Sequence, residues 1–179
     1  MRADLLYYYP DEYKEFLIEF HSTRDYFECH EILEEYWLEQ NREKKWLTLI
    51  QLAVAVYHER QKNFKGSMRL YKKVLKHMEN ESGLLEDLSI DEDTLISLIH
   101  KRMYNIQVNG DYSPMNLPLT DRSLQKECRQ TAENRRCTWN YDDRAADENL
   151  IYKHRHRDRS EVIEARRKAL VEKQLTRNL

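Results

Sequence analysis

An all-α fold, a compact bundle of about five helices with a basic, partly helical carboxy-terminal extension, is predicted from three observations. Only three glycines and three prolines occur in 179 residues, too few for turn-rich β architectures. Leu, Glu, Lys, Arg and Gln are abundant, and all are strong helix formers. The apolar residues recur at three- and four-residue spacing, behind residues suited to start helices.

The first helix is predicted to open at Pro10, whose fixed φ suits the first helical position, with Asp11 and Glu12 near the positive end of the helix dipole. Tyr13, Phe16, Leu17 and Phe20 form its inner stripe, and the chain breaks at His21-Ser22-Thr23-Arg24. Asp25 followed by Glu28 reads as a capping box for a second helix. The third, Lys45 to Gln61, is apolar almost all round from Trp46 to Tyr57, which marks a central helix covered on several sides. Asn63 caps a fourth helix with Phe64, Met68, Tyr71, Val74, Leu75 and Met78 inward, and Gly66 suggests close approach to a neighbouring backbone or, as the alternative, a simple irregularity at the start of the helix. A fifth helix opens at Ser89 or Asp91 and runs to Gln107, followed by a loop through Pro114 and Pro118. Beyond Asp121 the pattern weakens; residues 140–160 are strongly polar, with the run Lys153-His154-Arg155-His156-Arg157 reading as a solvated charged segment, and a final charged helix with Val162, Ile163, Ala169 and Leu170 is expected over 160–176. The expected division is a helical domain over 1–120 and a basic extension over 121–179.

Charge is unevenly shared. Residues 1–121 carry 15 Lys/Arg against 22 Asp/Glu, whereas residues 122–179 carry 15 against 10, and the whole chain is −2. No apolar run approaches the ~20 residues of a membrane span, so a cytoplasmic location is the default expectation. Cys29, Cys128 and Cys137 are too widely spaced for a zinc knuckle and odd in number, which disfavours a disulfide framework. No phosphate-cradling glycine loop or GxSxG is present.

The segment Tyr26 to Trp37 carries the sharpest signal. At ~100° per residue, His30 and Glu34 fall one turn apart within an apolar arc of roughly 120° formed by Tyr26, Phe27, Leu33, Trp37 and Leu38. A carboxylate there requires a partner, because desolvating it costs several kcal/mol. On the third helix Gln51 and His58, seven apart, interrupt the apolar face in line with Leu47 and Val54.

The combination of His30-Glu31-x-Leu33-Glu34 with Trp37, then Gln51 and His58, then Asn63-x-x-Gly66, resembles the bacterial and archaeal family called domain of unknown function 309, over residues 10–80. The resemblance implies a small cytoplasmic helical bundle without an agreed activity. It also implies that the family's polar positions are His30, Glu31, Glu34, Gln51, His58 and Asn63.

Three readings compete for these residues. In the first, His30, Glu34, Gln51 and His58 form one hydrogen-bonded network inside the bundle that fixes helix register. Under it, Glu34→Ala and His58→Ala would each cost more than about 2 kcal/mol. In the second, His30, Glu34 and His58 hold a divalent metal for hydrolysis, with Glu31 or Gln51 assisting, although Glu replaces the second histidine of HExxH. No other cofactor is suggested. In the third, aromatic residues including Tyr7-Tyr8-Tyr9, Tyr26, Trp37, Trp46 and Tyr57 line a ligand groove or a self-association face. A non-enzymatic binding or interaction module is the reading preferred, with a protein or small ligand as partner. Nucleic acid is disfavoured, because no RNA- or DNA-binding motif accompanies the basic extension.

Overall fold

The chain's computed structural model describes residues 8–156 and 160–177, and among these the architecture is all-α. α1 (Asp11–Ile18) begins after Pro10 and runs into a π-turn, Glu19–Thr23, where the sequence predicted a break. Arg24 ends that turn in the left-handed region at φ 57°. α2 (Tyr26–Glu39) is capped by Asp25, whose carboxylate accepts the Glu28 N–H at 3.0 Å. α3 (Lys44–Arg60) packs along both α2 and α4 (Phe64–Asn80), as its all-round apolarity required. α5 (Glu92–Val108) is capped by Asp91 through the Thr94 N–H; Ser89 instead closes a short 3₁₀ turn and is buried against Tyr9. Of the tyrosine run, Tyr9 is buried and Tyr8 exposed, while Tyr7 lies outside the described residues.

Past Asp121 the chain continues as α6 (Arg122–Asn134), which packs on α1. Its stripe is thin: Leu124, Cys128 and Ala132 recur every four residues, and just one of them is a large hydrophobe. That is why the apolar pattern missed it, although Asp121 caps it through the Ser123 and Leu124 N–H groups. Ion pairs from Lys14 to Glu127 and from Arg135 to Glu15 flank the contact. Two short helices follow, α7 (Glu148–Ile151) and α8 (Lys153–His156), and then α9 (Ser160–Arg177), at the place expected of the final charged helix. Of the apolar positions expected for it, Val162 and Ile163 have side chains outside the described residues, whereas Ala169 and Leu170 are exposed.

Buried guanidinium groups hold the loops to the helices. Arg24, with no exposed surface, donates to the carbonyls of Phe20, Met115 and Tyr141 and to Asn116 Oδ1, all within 3.0 Å. Its own carbonyl accepts from Arg60 Nη1 at 2.7 Å, and the same nitrogen donates to Asp143 Oδ2 at 2.8 Å. Tyr112 donates to Asp143 at 2.8 Å and accepts from Tyr26 at 2.7 Å, while Arg60 lies 4.6 Å over the Tyr26 ring. Burial pushes the Tyr26 hydroxyl up to about 12, with the Asp143 carboxylate adding to the shift. A second group joins Arg102 and Tyr71 to Glu59, each at 2.8 Å, and ties Arg102 to the Ser113 carbonyl.

The π-turn builds a separate corner. His21, buried, stacks on Trp139 with ring centroids 4.5 Å apart and 7° between planes. Its Nδ1–H donates to Asn140 Oδ1 at 2.8 Å, and its carbonyl accepts the Tyr141 N–H. Burial pushes the His21 imidazole down to about 4, so it is neutral in the fold at ordinary pH.

Two outcomes are expected. Asp143→Ala leaves the Arg60 charge buried without its carboxylate and should cost about 3–5 kcal/mol in a urea melt. Because the folded His21 pKa lies near 4 and the ordinary value near 6.5, the unfolded chain takes up one more proton than the folded chain between those limits. His21 therefore contributes full stability above about pH 6.5, and about 3 kcal/mol is lost as pH falls through about 4. A His21→Phe variant, measured by the same melts across pH, should show a shallower slope in that window.

Candidate functional site

α2 and α3 lie side by side, and their matched apolar faces leave a hollow where large side chains give way to imidazoles. It has a volume of about 180 Å³ and is walled by Tyr26, Phe27 and His30 from α2 and by Val54, Tyr57 and His58 from α3. His154 of α8 supplies the last wall.

Strap contacts bring α8 there. Lys153 pairs with Asp25 at 2.5 Å and approaches Glu28 at 3.6 Å. Gln61 donates to the Ile151 carbonyl at 2.8 Å. Tyr57 accepts the His154 backbone N–H at 3.1 Å and donates its hydroxyl proton to His154 Nδ1.

His58 is pinned by a chain that starts at the next helix cap. The Gly66 N–H donates to Asn63 Oδ1 at 3.2 Å, which orients the amide so that its NH₂ donates to His58 Nδ1, also at 3.2 Å. An Nδ1 that accepts cannot carry a proton, so neutral His58 holds its proton on Nε2. Burial, with His154 and Arg69 adding, lowers the His58 pKa and favours that neutral form. His154, accepting at Nδ1 from Tyr57, is held in the same tautomer when neutral. Gly66 is needed because a Cβ there would stand 2.9 Å from the Asn63 amide nitrogen. The crowding thus comes from the helix's own cap, not from a neighbouring backbone as expected.

The other expected residues divide. His30 lines the hollow and its Nε2 lies 3.0 Å from Glu34, with Glu31 3.9 Å from Nδ1. Glu34 is not buried: its side chain is 40% exposed. Gln51 does not join His30 or His58; it accepts from His77 of α4 at 2.9 Å, on a different part of α3. One network of four is therefore replaced by separate pairs. Among the described residues no three His, Cys, Asp or Glu side chains converge as a metal ion needs, so the His30, Glu34 and His58 ligand set does not assemble. Cys29 is buried with its thiol near the Phe16 carbonyl, and burial raises its pKa, which keeps it unreactive.

Sequence reasoning missed two participants. His154 was visible only as part of a basic run, and nothing local pairs it with a tyrosine about a hundred residues earlier. His77 sits among lysines on α4, and its link to Gln51 depends on how α3 and α4 cross. Asn63 was legible, since N-cap spacing alone identifies it.

The model of a family described as a domain of unknown function, DUF309, matches residues 13–70, which include every wall of the hollow except His154. An uncharacterized protein, YpuF, of Bacillus subtilis (strain 168) is 39% identical over 173 residues, covering 95% of this chain and 99% of its own length. No solved structure matches.

Glu34→Ala should cost no more than about 1 kcal/mol, because its side chain is 40% exposed, well under the loss a buried carboxylate would give. Asn63→Ala should cost about 1 kcal/mol through its lost cap. It should also raise the His58 titration midpoint, followed by NMR at its Cε1–H, because the donor that favours the neutral ring is gone.

Proposed function

The chain belongs to the DUF309 family, whose description assigns no activity, and we propose that it is a non-enzymatic binding module whose ligand site is the α2–α3 hollow. The observation that carries this reading is the pinning of His58, held by the Asn63 amide at Nδ1 and so left as an Nε2–H donor beside the aromatic walls, with His154 closing the hollow. At about 180 Å³ the hollow is smaller than the ~300–1,000 Å³ that hold whole cofactors. Its occupant is one small, planar, uncharged group bearing a hydrogen-bond acceptor, presented by a small ligand or by a side chain of a protein partner. Tyr26, Phe27 and Tyr57 supply ring faces, Val54 an apolar floor, and the imidazoles the polar edge.

No described helix is long and apolar enough to cross a membrane. We place the module in the cytoplasm, a reading supported by three free cysteines, of which Cys29 and Cys128 are buried as small hydrophobes. Membrane contact has no part in this role.

Benzamide, a ring with one carbonyl acceptor, tests the site by NMR titration against benzylammonium as the charged control. Benzamide is expected to shift the His58 and His154 Cε1–H signals saturably, benzylammonium to shift them far less, and Val54→Trp, which fills the floor, to abolish the response. A folded parent whose imidazole signals do not respond to benzamide overturns the proposal.

A further inference from the structure

A second hollow, of about 280 Å³, lies on the other side of the molecule's charge divide. It is lined by Arg122, Gln125, Lys126 and Arg129 of α6 and by Trp139 and Asn140. The four α6 residues fall at helical spacing on one side of the helix, away from buried Leu124 and Cys128. Three cations, two amides and one indole therefore converge with no carboxylate in the lining, in a chain whose first 121 residues carry a net −7. Arg129 also pairs with Glu133, one turn on along the same face, at 3.1 Å, so a phosphate at Arg129 competes with that exposed pair while Arg122 and Lys126 carry the rest of the charge.

The aromatic wall is prebuilt. Trp139 is stacked on the buried His21 ring, and Asn140, in the left-handed region at φ 55°, is held by His21 Nδ1–H. The His21 carbonyl then fixes the next residue through the Tyr141 N–H. The π-turn, its buried imidazole and the 139–141 segment thus form one rigid support for an indole beside a cationic helix face. Cations tracking phosphates next to an aromatic platform is the arrangement that binds unpaired nucleotides without reading their sequence.

We infer that the α6–Trp139 hollow binds a nucleotide unit, its phosphate on Arg122, Lys126 and Arg129 and its base against Trp139. The site is separate from the α2–α3 hollow and stands whether or not that hollow binds a planar group. The amides of Gln125 and Asn140 can serve either hydrogen-bonding edge of a base, so no single base is selected. The lining offers cations for one phosphate and a ring face for one base, as one nucleotide of a strand or one free nucleotide presents, and the shared chemistry is phosphate plus stackable base.

Fluorescence anisotropy of the full chain with labelled oligouridylate and oligothymidylate at low salt tests this. Saturable binding that weakens as salt rises is expected. Lys126→Glu/Arg129→Glu should weaken it by at least about ten-fold, and Trp139→Ala by about ten-fold, with Trp139→Phe close to the parent. A strand of abasic phosphodiesters should bind more weakly than its base-bearing equivalent. Lys72→Glu/Lys76→Glu, an equal charge change on exposed positions of α4, should leave binding unchanged. Should Trp139→Ala fail to fold, the α6 pair and the abasic strand carry the test alone. Competition by uridine monophosphate matched per phosphate assigns the site to a free nucleotide, and its failure to compete assigns it to a strand. No saturable binding to either oligonucleotide, or equal weakening by the α4 control, overturns the inference.

Discussion

The Arg60 guanidinium is the contact on which the arrangement depends. It joins α3 to the Arg24 carbonyl at the end of the π-turn and to Asp143, more than eighty residues later. A buried charge of this kind tolerates no vacancy, since removing its partner leaves a guanidinium desolvated and uncompensated. The consequence is long-range order in a polar stretch: with Asp143 and the Tyr141 carbonyl both held by buried arginines, the chain from Trp139 onward runs back across α2 and α3. His154 arrives at Tyr57 by that route.

A histidine held by a side-chain amide lines one hollow, and another backs the Trp139 wall of the second. Asn63 donates to His58 and leaves it an Nε2–H, whereas Asn140 accepts from His21 and leaves it an Nδ1–H. Burial lowers both pKa values, so the rings serve as neutral, directional parts of the structure and not as charges. His30, beside the carboxylates of Glu31 and Glu34 and only partly buried, stands in a different electrostatic setting within the same hollow.

The charge asymmetry acquires a location in the fold. Many basic residues past Asp121 are neutralised where they lie, as with Arg135 on Glu15, Arg144 on Asp142 and Lys153 on Asp25. Of the α6 cations that face Trp139, Arg129 is likewise paired, with Glu133, which leaves Arg122 and Lys126 as the exception; Lys14, on the neighbouring helix, is taken up by Glu127 outside that hollow. Net charge along the chain could not distinguish these cases, because it counts residues without their neighbours.

The all-α class, the caps at Asp25, Asn63 and Asp91, the central place of α3 and the nearness of His30 to Glu34 were determined by the sequence alone. Each depends on spacing within one helix or one cap, where geometry follows directly from residue order. The tertiary structure alone decided that Glu34 is half exposed, that Gln51 turns to His77, and that Arg60 meets Asp143. It also decided that His154 closes the hollow of His30 and His58. α6 stands between these cases: its cap is local and legible, but a stripe of leucine, cysteine and alanine becomes a buried face only when α1 is there to cover it. The reason is common to all of these. A helix's own periodicity specifies which residues share a face, while burial and partnership are set by whatever distant segment covers that face.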